Sequence, residues 1–343
     1  MNISIKAGIL PVALLNTVAM TAANDSIVWK RQVYSTGHVR FRQEVLASPA
    51  MRNYLHTPSI SEFSVYATTE PAAAARIPQL GRGGKQFGME ASSFQQLGAN
   101  SVVWGKASYQ NGKKYDVTWN ETSDFLLLYP YVMGDAKGGD QNYESYRLDG
   151  GYSTRHGKTC YGVDLGYRTL SEYRDRDPRP NNTVADLYAQ GGIGLNIWGS
   201  YSVALTATAG KYKQTNELAF YNELGTQMVY HLTGIGNDFT RFSGQGKNCF
   251  YKGYSIGAEI SMASKETTGW SASAGYLFTR KEKVLTDLNR LPLNRLEVNS
   301  LDGAVGYNNE DYGVRLTGNV AQRKGIDNLF GDATGNIYPQ IGS

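Results

Sequence analysis

Two adjacent arms, residues 187–197 and 201–210, alternate strictly between apolar side chains and small or polar ones. In the first arm Leu187, Ile193 and Leu195 share one parity, while Gln190 and Asn196 have the other. Successive side chains of a strand point to opposite faces, so each arm predicts a β-strand with one apolar face. Each arm has about ten residues, which is the length that a tilted strand needs to cross a bilayer.

The same unit recurs along the chain. Five pairs of arms between residues 101 and 322 predict ten clear strands, with room for twelve or more. Asn111-Gly112, a strong short-hairpin signal, is predicted to turn the first pair. Short turns within pairs alternate with long connections between pairs, including 121–142, 169–183, 213–249 and the Lys- and Arg-rich 280–296. This arrangement is typical of outer-membrane barrels, so we predict an all-β, antiparallel up-and-down transmembrane β-barrel.

The ends of the chain predict further divisions. Residues 1–23 are predicted to be a secretory signal peptide, because Lys6 precedes a mostly apolar stretch and Thr21-Ala22-Ala23. Residues 24–100 are predicted to hold a short helix that begins near Ser48 and one or two strands. Residues 101–322 are the barrel hairpins. We expect residues 323–343 to be a loop or a truncated continuation, which leaves open whether the chain holds a complete barrel.

Composition excludes some classes of function. The net charge of +4 gives no electrostatic argument for nucleic acid binding. The negative mean hydropathy does not exclude a barrel, because lumen and loop residues dilute the apolar face. The two cysteines, Cys160 and Cys249, form no disulfide framework, and both a single bridge and two free thiols remain open.

No motif indicates catalysis. The sequence lacks a recognisable nucleophile motif, zinc spacing or phosphate-binding loop, so we predict no enzyme activity, no cofactor and no metal site. Asp135, Asp140 and Asn142 lie in a glycine-rich stretch that could supply oxygen ligands to calcium. Their spacing does not fit an EF-hand, and a solvated loop is the favoured interpretation.

Ionisable residues on the polar parity are the best candidates for a role in transport, since lining charges tune the selectivity of a pore. The lumen-lining candidates are Asp116, Arg147, Asp149, Asp164, Arg168, Glu259 and Arg315. The alternative is a filled interior in which such charges pair across neighbouring strands.

A charged run in the connection 169–183 is a second candidate site. Its loop-binding candidates are Arg174, Asp175, Arg176, Asp177 and Arg179. The run could bind an anionic or polar ligand, and the alternating signs also fit a loop that satisfies its own charges, which is the favoured interpretation.

Three stretches carry a resemblance: residues 129–135 (YPYVMGD), 150–153 (GGYS) and 172–181 (EYRDRDPRPN). The chain resembles a family of outer-membrane β-barrel proteins of Bacteroidota-type bacteria that is catalogued as a domain of unknown function. The resemblance covers most of residues 30–330 and implies a barrel in the cell outer membrane, with no established activity. Residues 48–51 (SPAM) are more loosely similar to the N-terminal segment of fatty-acid-transporter-like barrels.

The resulting functional prediction is an outer-membrane barrel that acts as a passive pore or uptake channel for a small solute. Its expected partners are outer-membrane lipid and an envelope protein. A non-conducting docking or structural barrel is one alternative. A hydrophobic-substrate transporter with an N-terminal plug is another, although the polar inner faces argue against it. The sequence identifies neither the solute nor the partner.

Overall fold

The computed structural model describes residues 44–46, 48–54, 59–71, 74–197, 199–222, 227–234, 236–240, 242–244, 248–266, 268–286, 290–309, 312–330 and 337–342. The predicted signal peptide lies outside these residues. Helix is confined to short segments, which include the 3-10 helices Pro49–Tyr54 and Pro78–Leu80 and the α-helix Phe125–Leu128. In this part of the chain, no helix combines the length and the apolar character needed to span a bilayer.

Strands dominate the fold. They are β1 (Ile60–Pro71), β2 (Gly83–Gln96), β3 (Ser101–Val117), β4 (Met133–Gly134), β5 (Gly139–His156), β6 (Thr159–Tyr173), β7 (Arg179–Ile197), β8 (Tyr201–Ala219), β9 (Tyr230–His231), β10 (Cys249–Ser264), β11 (Gly269–Leu285), β12 (Leu291–Asn308), β13 (Gly313–Phe330) and β14 (Ile337–Gly342). All except β4 and β9 form one antiparallel sheet in chain order, and β4 pairs with β9 separately. The predicted all-β, antiparallel up-and-down fold is confirmed. Within the described residues β1 pairs only with β2, and β14 only with β13.

The predicted turn at Asn111-Gly112 is wrong. Both residues lie inside β3, where Asn111 pairs with Phe87 and Gly112 with Gln86 of β2. The glycine serves packing, because a Cβ on Gly112 would lie 2.6 Å from the Tyr143 hydroxyl. The connection between β2 and β3 instead spans residues 97–100.

Strands also extend beyond their predicted ends. The connection expected over 169–183 shrinks to residues 174–178, because β6 and β7 pair up to Tyr173 and Asn181. Most of the Lys- and Arg-rich stretch 280–296 belongs to β11 and β12 and is not a loop. Residues 323–330 continue β13, and β14 follows, where we expected a loop or a truncated continuation. Residues 24–100, predicted to hold a short helix and one or two strands, contain the 3-10 helices Pro49–Tyr54 and Pro78–Leu80 and the strands β1 and β2 in their described part.

The sheet curls around an interior. Residues 44–46 and 48–54 contact strands from β3 to β13. The 3-10 helix at Pro49 packs against β3, β5, β6, β7 and β8. The Ser261 hydroxyl of β10 donates to the Met51 sulfur at 3.4 Å, and Glu44 pairs with Arg315 of β13 at 3.0 Å. A flat sheet could not reach one short segment from so many strands. We call the side that faces this segment concave.

The two faces differ in chemistry as the alternation predicts. The concave face carries polar and small side chains, such as Asp164, Thr206 and Ser261, and they are buried. The convex face exposes large apolar side chains in every long strand from β1 to β13 except β3. They include Phe63, Met89, Leu148, Leu165, Leu187, Ile193, Leu195, Leu205, Ile256, Ile260, Leu301, Leu316 and Val320. We call this set the apolar belt.

Candidate functional site

The concave side holds two interior segments. One lies at the end of the strands that carries the short turns, and the other lies at the end that carries the long connections. Residues 44–46 and 48–54 lie near the short turns, where the Ser48 and Thr206 hydroxyls are 2.6 Å apart and the Tyr54 hydroxyl is 2.9 Å from the Cys160 sulfur. A Cβ on Gly162 of β6 would lie 2.1 Å from the Pro49 carbonyl oxygen, so this close approach requires a glycine. We call residues 44–46 and 48–54 the N-terminal segment.

A network of polar side chains fixes the N-terminal segment to the concave face of the sheet. We call the strands that form this face the wall. The Arg52 guanidinium lies over the Trp104 ring, and its Nη2 is 3.9 Å from Asp164 Oδ2. Trp104 Nε1 donates to the same Oδ2 at 2.7 Å. The Tyr188 hydroxyl donates to both Asp164 Oδ1 and Asp149 Oδ1, at 3.1 and 3.0 Å. The buried Asp164 carboxylate of β6 therefore accepts hydrogen bonds from β3 and β7 and faces a cation of the N-terminal segment.

A cavity of about 360 Å³ lies beside this network. Its polar lining combines both signs of charge with aromatic rings and includes Arg52, Trp104, Arg147, Asp149, Asp164 and Tyr188. A cavity of this size and chemistry suits a small polar solute better than an apolar one.

Residues 118–135 form the second interior segment, at the end of the long connections. Side chains from the wall donate to its backbone carbonyls. Asn182 and Asn216 both bond the Glu121 carbonyl, at 2.9 and 3.1 Å, and Tyr251 bonds the Tyr131 carbonyl at 2.9 Å. Lys283 Nζ donates to the Val132 carbonyl at 2.8 Å. Four strands therefore hold this segment through its main chain, and we call it the loop segment.

A buried ionic triad ties the loop segment to the end of β6. Arg174 Nη2 contacts Glu121 Oε1 and lies 2.8 Å from Asp135 Oδ2, with all three side chains buried. Burial raises the pKa of Glu121 well above its usual range, and the hydrogen bond to Asp135 raises it further. Burial also raises the pKa of Asp135, but hydrogen bonds from Glu121 and Arg174 outweigh it and lower the pKa overall. One proton between the two carboxyl groups, held on Glu121, accounts for both directions.

The lumen-lining candidates fall into different environments. Asp149 and Asp164 lie beside the cavity, and Arg147 pairs with Asp149 of its own strand at 2.8 Å. Arg168 contacts Asp124 of the loop segment. Arg168 also lies 3.8 Å from Asp186, its register partner on the neighbouring strand β7, so pairing across neighbouring strands describes Arg168 but not Arg147. Whether they line a solute path stays a prediction.

The three other candidates are separate from this cluster. Glu259 lies on the concave face of β10, in register with Gly275 and then Asp302 on the next two strands. Arg315 pairs with Glu44. Asp116 differs from its predicted place: it follows an irregularity at the end of β3, its side chain is exposed, and it pairs with Arg82. The alternation fails there because the backbone of Asp116 is left-handed, with φ of 49°.

The charged run of the 174–178 connection is satisfied mostly by partners outside the run. Arg174 belongs to the buried triad, and Asn142 donates to Asp175 at 3.1 Å. Asp177 accepts backbone N–H groups from residues 221 and 222, and within the run it pairs with Arg179 at 2.7 Å. Arg176 contributes its carbonyl oxygen to Arg174. These contacts give the run a structural role and leave ligand binding unsupported by its geometry.

Sequence patterns did not single out several residues that organise the interior. Arg52, Trp104, Tyr188 and Glu121 were not among the predicted candidates. Trp104 and Tyr188 have the polar parity of their strands, which is the signal that could have found them. The two cysteines are both free and buried, Cys160 under the N-terminal segment and Cys249 with its sulfur 3.0 Å from Met133 of the loop segment.

Comparison with known proteins gives a family without an activity. A family model described as a family of unknown function (DUF6850) matches residues 49–343. This agrees with the resemblance to a family catalogued as a domain of unknown function. No curated protein matches the chain.

Proposed function

The chain belongs to a family of unknown function (DUF6850), and on that premise we propose that it is an outer-membrane β-barrel that takes up a small polar solute through its interior. The apolar belt is the observation that carries this proposal. Burying one such side chain is worth roughly 1.5–3 kcal/mol, so a belt across ten strands is costly to leave in water. A lipid-facing apolar band around a polar interior is typical of outer-membrane barrels.

A sheet that spans a lipid bilayer must have no unpaired edge strands. Backbone groups on a free edge have no hydrogen-bond partner in hydrocarbon, so a spanning sheet must close. The curl of the sheet around the two interior segments supports closure, because β3 and β13 already contact the same N-terminal segment. The proposal therefore includes a closed barrel.

The two interior segments suggest how uptake is controlled. The loop segment is held through its backbone carbonyls, which any rearrangement would leave unpaired at a cost of roughly 1–3 kcal/mol each. The N-terminal segment is held mainly through side chains, above all Arg52 on Trp104 and Asp164. We therefore assign the movable part to the N-terminal segment, which makes the protein a gated uptake channel and not a permanently open pore.

A docking or structural barrel is the second candidate function. Tyr221 and Met228, in the connection between β8 and β10, are exposed by 70% and 53%, and such side chains suit a protein partner. A hydrophobic-substrate transporter is less supported, because charged side chains line the interior cavity.

Two measurements on the full chain test the proposal. Detergent extracts of outer membranes are run on gels with and without boiling, and a closed barrel migrates differently in the two cases. The folded protein is then placed in planar bilayers as wild type, Arg52→Ala and Arg82→Ala. Arg82 pairs with Asp116 at the outer end of β3 and serves as the matched control.

We expect a heat-dependent shift, low conductance for wild type and Arg82→Ala, and frequent openings for Arg52→Ala. A folded barrel that stays silent in all three forms would favour the docking function. Extraction in buffer without detergent would overturn the membrane location itself.

A further inference from the structure

The convex face carries a cluster of basic side chains directly beside the apolar belt, on strands β8 and β10–β13. Cross-strand register places them in two rows. One row runs Lys213, Lys252, Glu282, Arg295, and the other runs Lys211, Tyr254, Arg280, Glu297, Lys324. Six cations and two carboxylates leave a net charge of +4. We call these six cations the basic patch.

The patch is a local feature and not a general property of this height on the sheet. The same two rows continue onto β5–β7 without a basic residue. There they hold Tyr146, Thr169, Ala185, Leu148, Tyr167 and Leu187. One side of the sheet therefore presents concentrated positive charge where the other side presents apolar and small side chains.

The carboxylates of the patch neutralise only part of it. Glu282 pairs with Lys252 at 3.2 Å and with Arg280 at 2.6 Å, and Glu297 pairs with Arg295 at 3.1 Å. Among the described residues, no ion pair is found for Lys211, Lys213 or Lys324. Lys211 and Lys213 are exposed, as is Lys252, whose side chain is 58% accessible.

The neighbours of the patch identify what it would meet. One alternation closer to the short turns, β10 and β11 present the exposed Ile256 and the half-buried Phe278, which lie on the convex apolar surface that we assign to lipid. The patch therefore lies where the hydrocarbon of the leaflet ends and its headgroups begin, on the side of the long connections. Lysine and arginine at that level attract anionic headgroups, and arginine binds phosphate through paired hydrogen bonds.

We propose that the convex face of β8 and β10–β13 binds the phosphate groups of anionic membrane lipids, through Lys211, Lys213, Lys252, Arg280, Arg295 and Lys324. The inference rests on the proposed membrane location and adds the lipid class that the protein recognises. It also implies that anionic lipids bind around β8 and β10–β13 in preference to β5–β7, which carry no basic residue in these two rows.

Native mass spectrometry of the detergent-extracted full chain tests the proposal. The protein is offered equal amounts of phosphatidylglycerol and phosphatidylcholine. The test variant is Lys211→Gln/Lys213→Gln. The control is Lys158→Gln/Lys265→Gln, which removes the same charge at the short turns. Inorganic phosphate at millimolar concentration is added in a second arm to separate lipid binding from binding of the free anion.

We expect wild type and the control to retain phosphatidylglycerol preferentially, and the test variant to lose roughly 5- to 30-fold of that preference. Equal retention of both lipids by wild type, an equal loss in the control, or displacement of the lipid by phosphate would overturn the proposal. The heat-dependent gel shift of the same samples separates the two levels. A shift without lipid preference refutes the patch alone, and a chain that stays soluble without detergent refutes both.

Discussion

The guanidinium carbon of Arg52 lies 4.2 Å from the centroid of the Trp104 ring. This places a cation of the N-terminal segment on an aromatic ring of β3, and the ring's N–H is bonded to Asp164 of β6. A cation over an aromatic ring contributes about 0.5–2 kcal/mol, depending on how far it is removed from water. Arg52 thus joins the N-terminal segment to the strands through one tryptophan and one carboxylate.

Asp164→Asn should loosen the N-terminal segment without collapsing the wall. The amide keeps an acceptor for Trp104 but removes the charge that faces Arg52. Cys160, 1% exposed beneath Tyr54, should then react several-fold faster with a maleimide, as followed by peptide mass spectrometry. Cys249 beneath the loop segment is the internal control. Asp140→Asn, which removes a carboxylate paired with Lys113, is the matched variant. Equal acceleration of both cysteines would indicate general unfolding and contradict the prediction.

Strand faces could be predicted because alternation reports the environment of each residue separately. Asp164 and Leu165 are neighbours in the chain, and the structure buries the first and exposes the second, as their parity requires. The same reasoning placed Asp149 and Asp164 on the concave face. It needs no knowledge of any other strand.

Strand ends and interior contacts could not be predicted in this way. Alternation was lost around Arg280 and Arg295 because the convex side chains there are charged, so the end of β11 and the start of β12 were predicted to be a loop. Asn111-Gly112 was mistaken for a turn, because the sequence does not distinguish a glycine required for side-chain packing from a glycine required for a turn. The contact between Arg52 and Asp164 joins residues far apart in sequence, and no local pattern encodes it.

The triad of Glu121, Arg174 and Asp135 predicts a specific pH dependence. A carboxyl group whose pKa is raised on folding contributes stability at low pH, and that stability is lost as the pH rises from about 4.5 through the raised pKa. Glu121→Gln cannot ionise and keeps both hydrogen bonds. The free energy of unfolding of Glu121→Gln minus that of wild type should therefore increase with pH, by up to ~1.4 kcal/mol for each pH unit in that window. Urea titrations at several pH values, with the folded fraction read from the gel band that shifts on boiling, measure both free energies. If the two free energies change with pH in parallel, the prediction is wrong.

Gly166→Ala should disturb the network around the cavity. A Cβ at this position would lie 2.0 Å from the Tyr188 ring and 2.5 Å from Asp149 Oδ1, so the bonds between these side chains must shift. Overpacking of this kind costs about 1–3 kcal/mol. Gly191→Ala, on the convex face of β7 with no atom within 4 Å, is the control and should change stability little. The midpoint of urea unfolding measures both, and equal midpoints would mean that the network tolerates displacement.

Tyr251→Phe should weaken the hold on the loop segment. The Tyr251 side chain is fully buried, and its hydroxyl donates to the Tyr131 carbonyl at 2.9 Å. Phenylalanine keeps the ring and leaves that carbonyl without this donor, at a cost of about 1–3 kcal/mol. Tyr161→Phe removes a hydroxyl from the convex face, where Tyr161 is 48% exposed, and should be nearly neutral. Maleimide labelling of Cys249, which lies against Met133 of the same segment, should accelerate in Tyr251→Phe alone, while Cys160 keeps its wild-type rate. Faster labelling of both cysteines would mean that the two interior segments move together, and the assignment of the movable part to the N-terminal segment alone would fail.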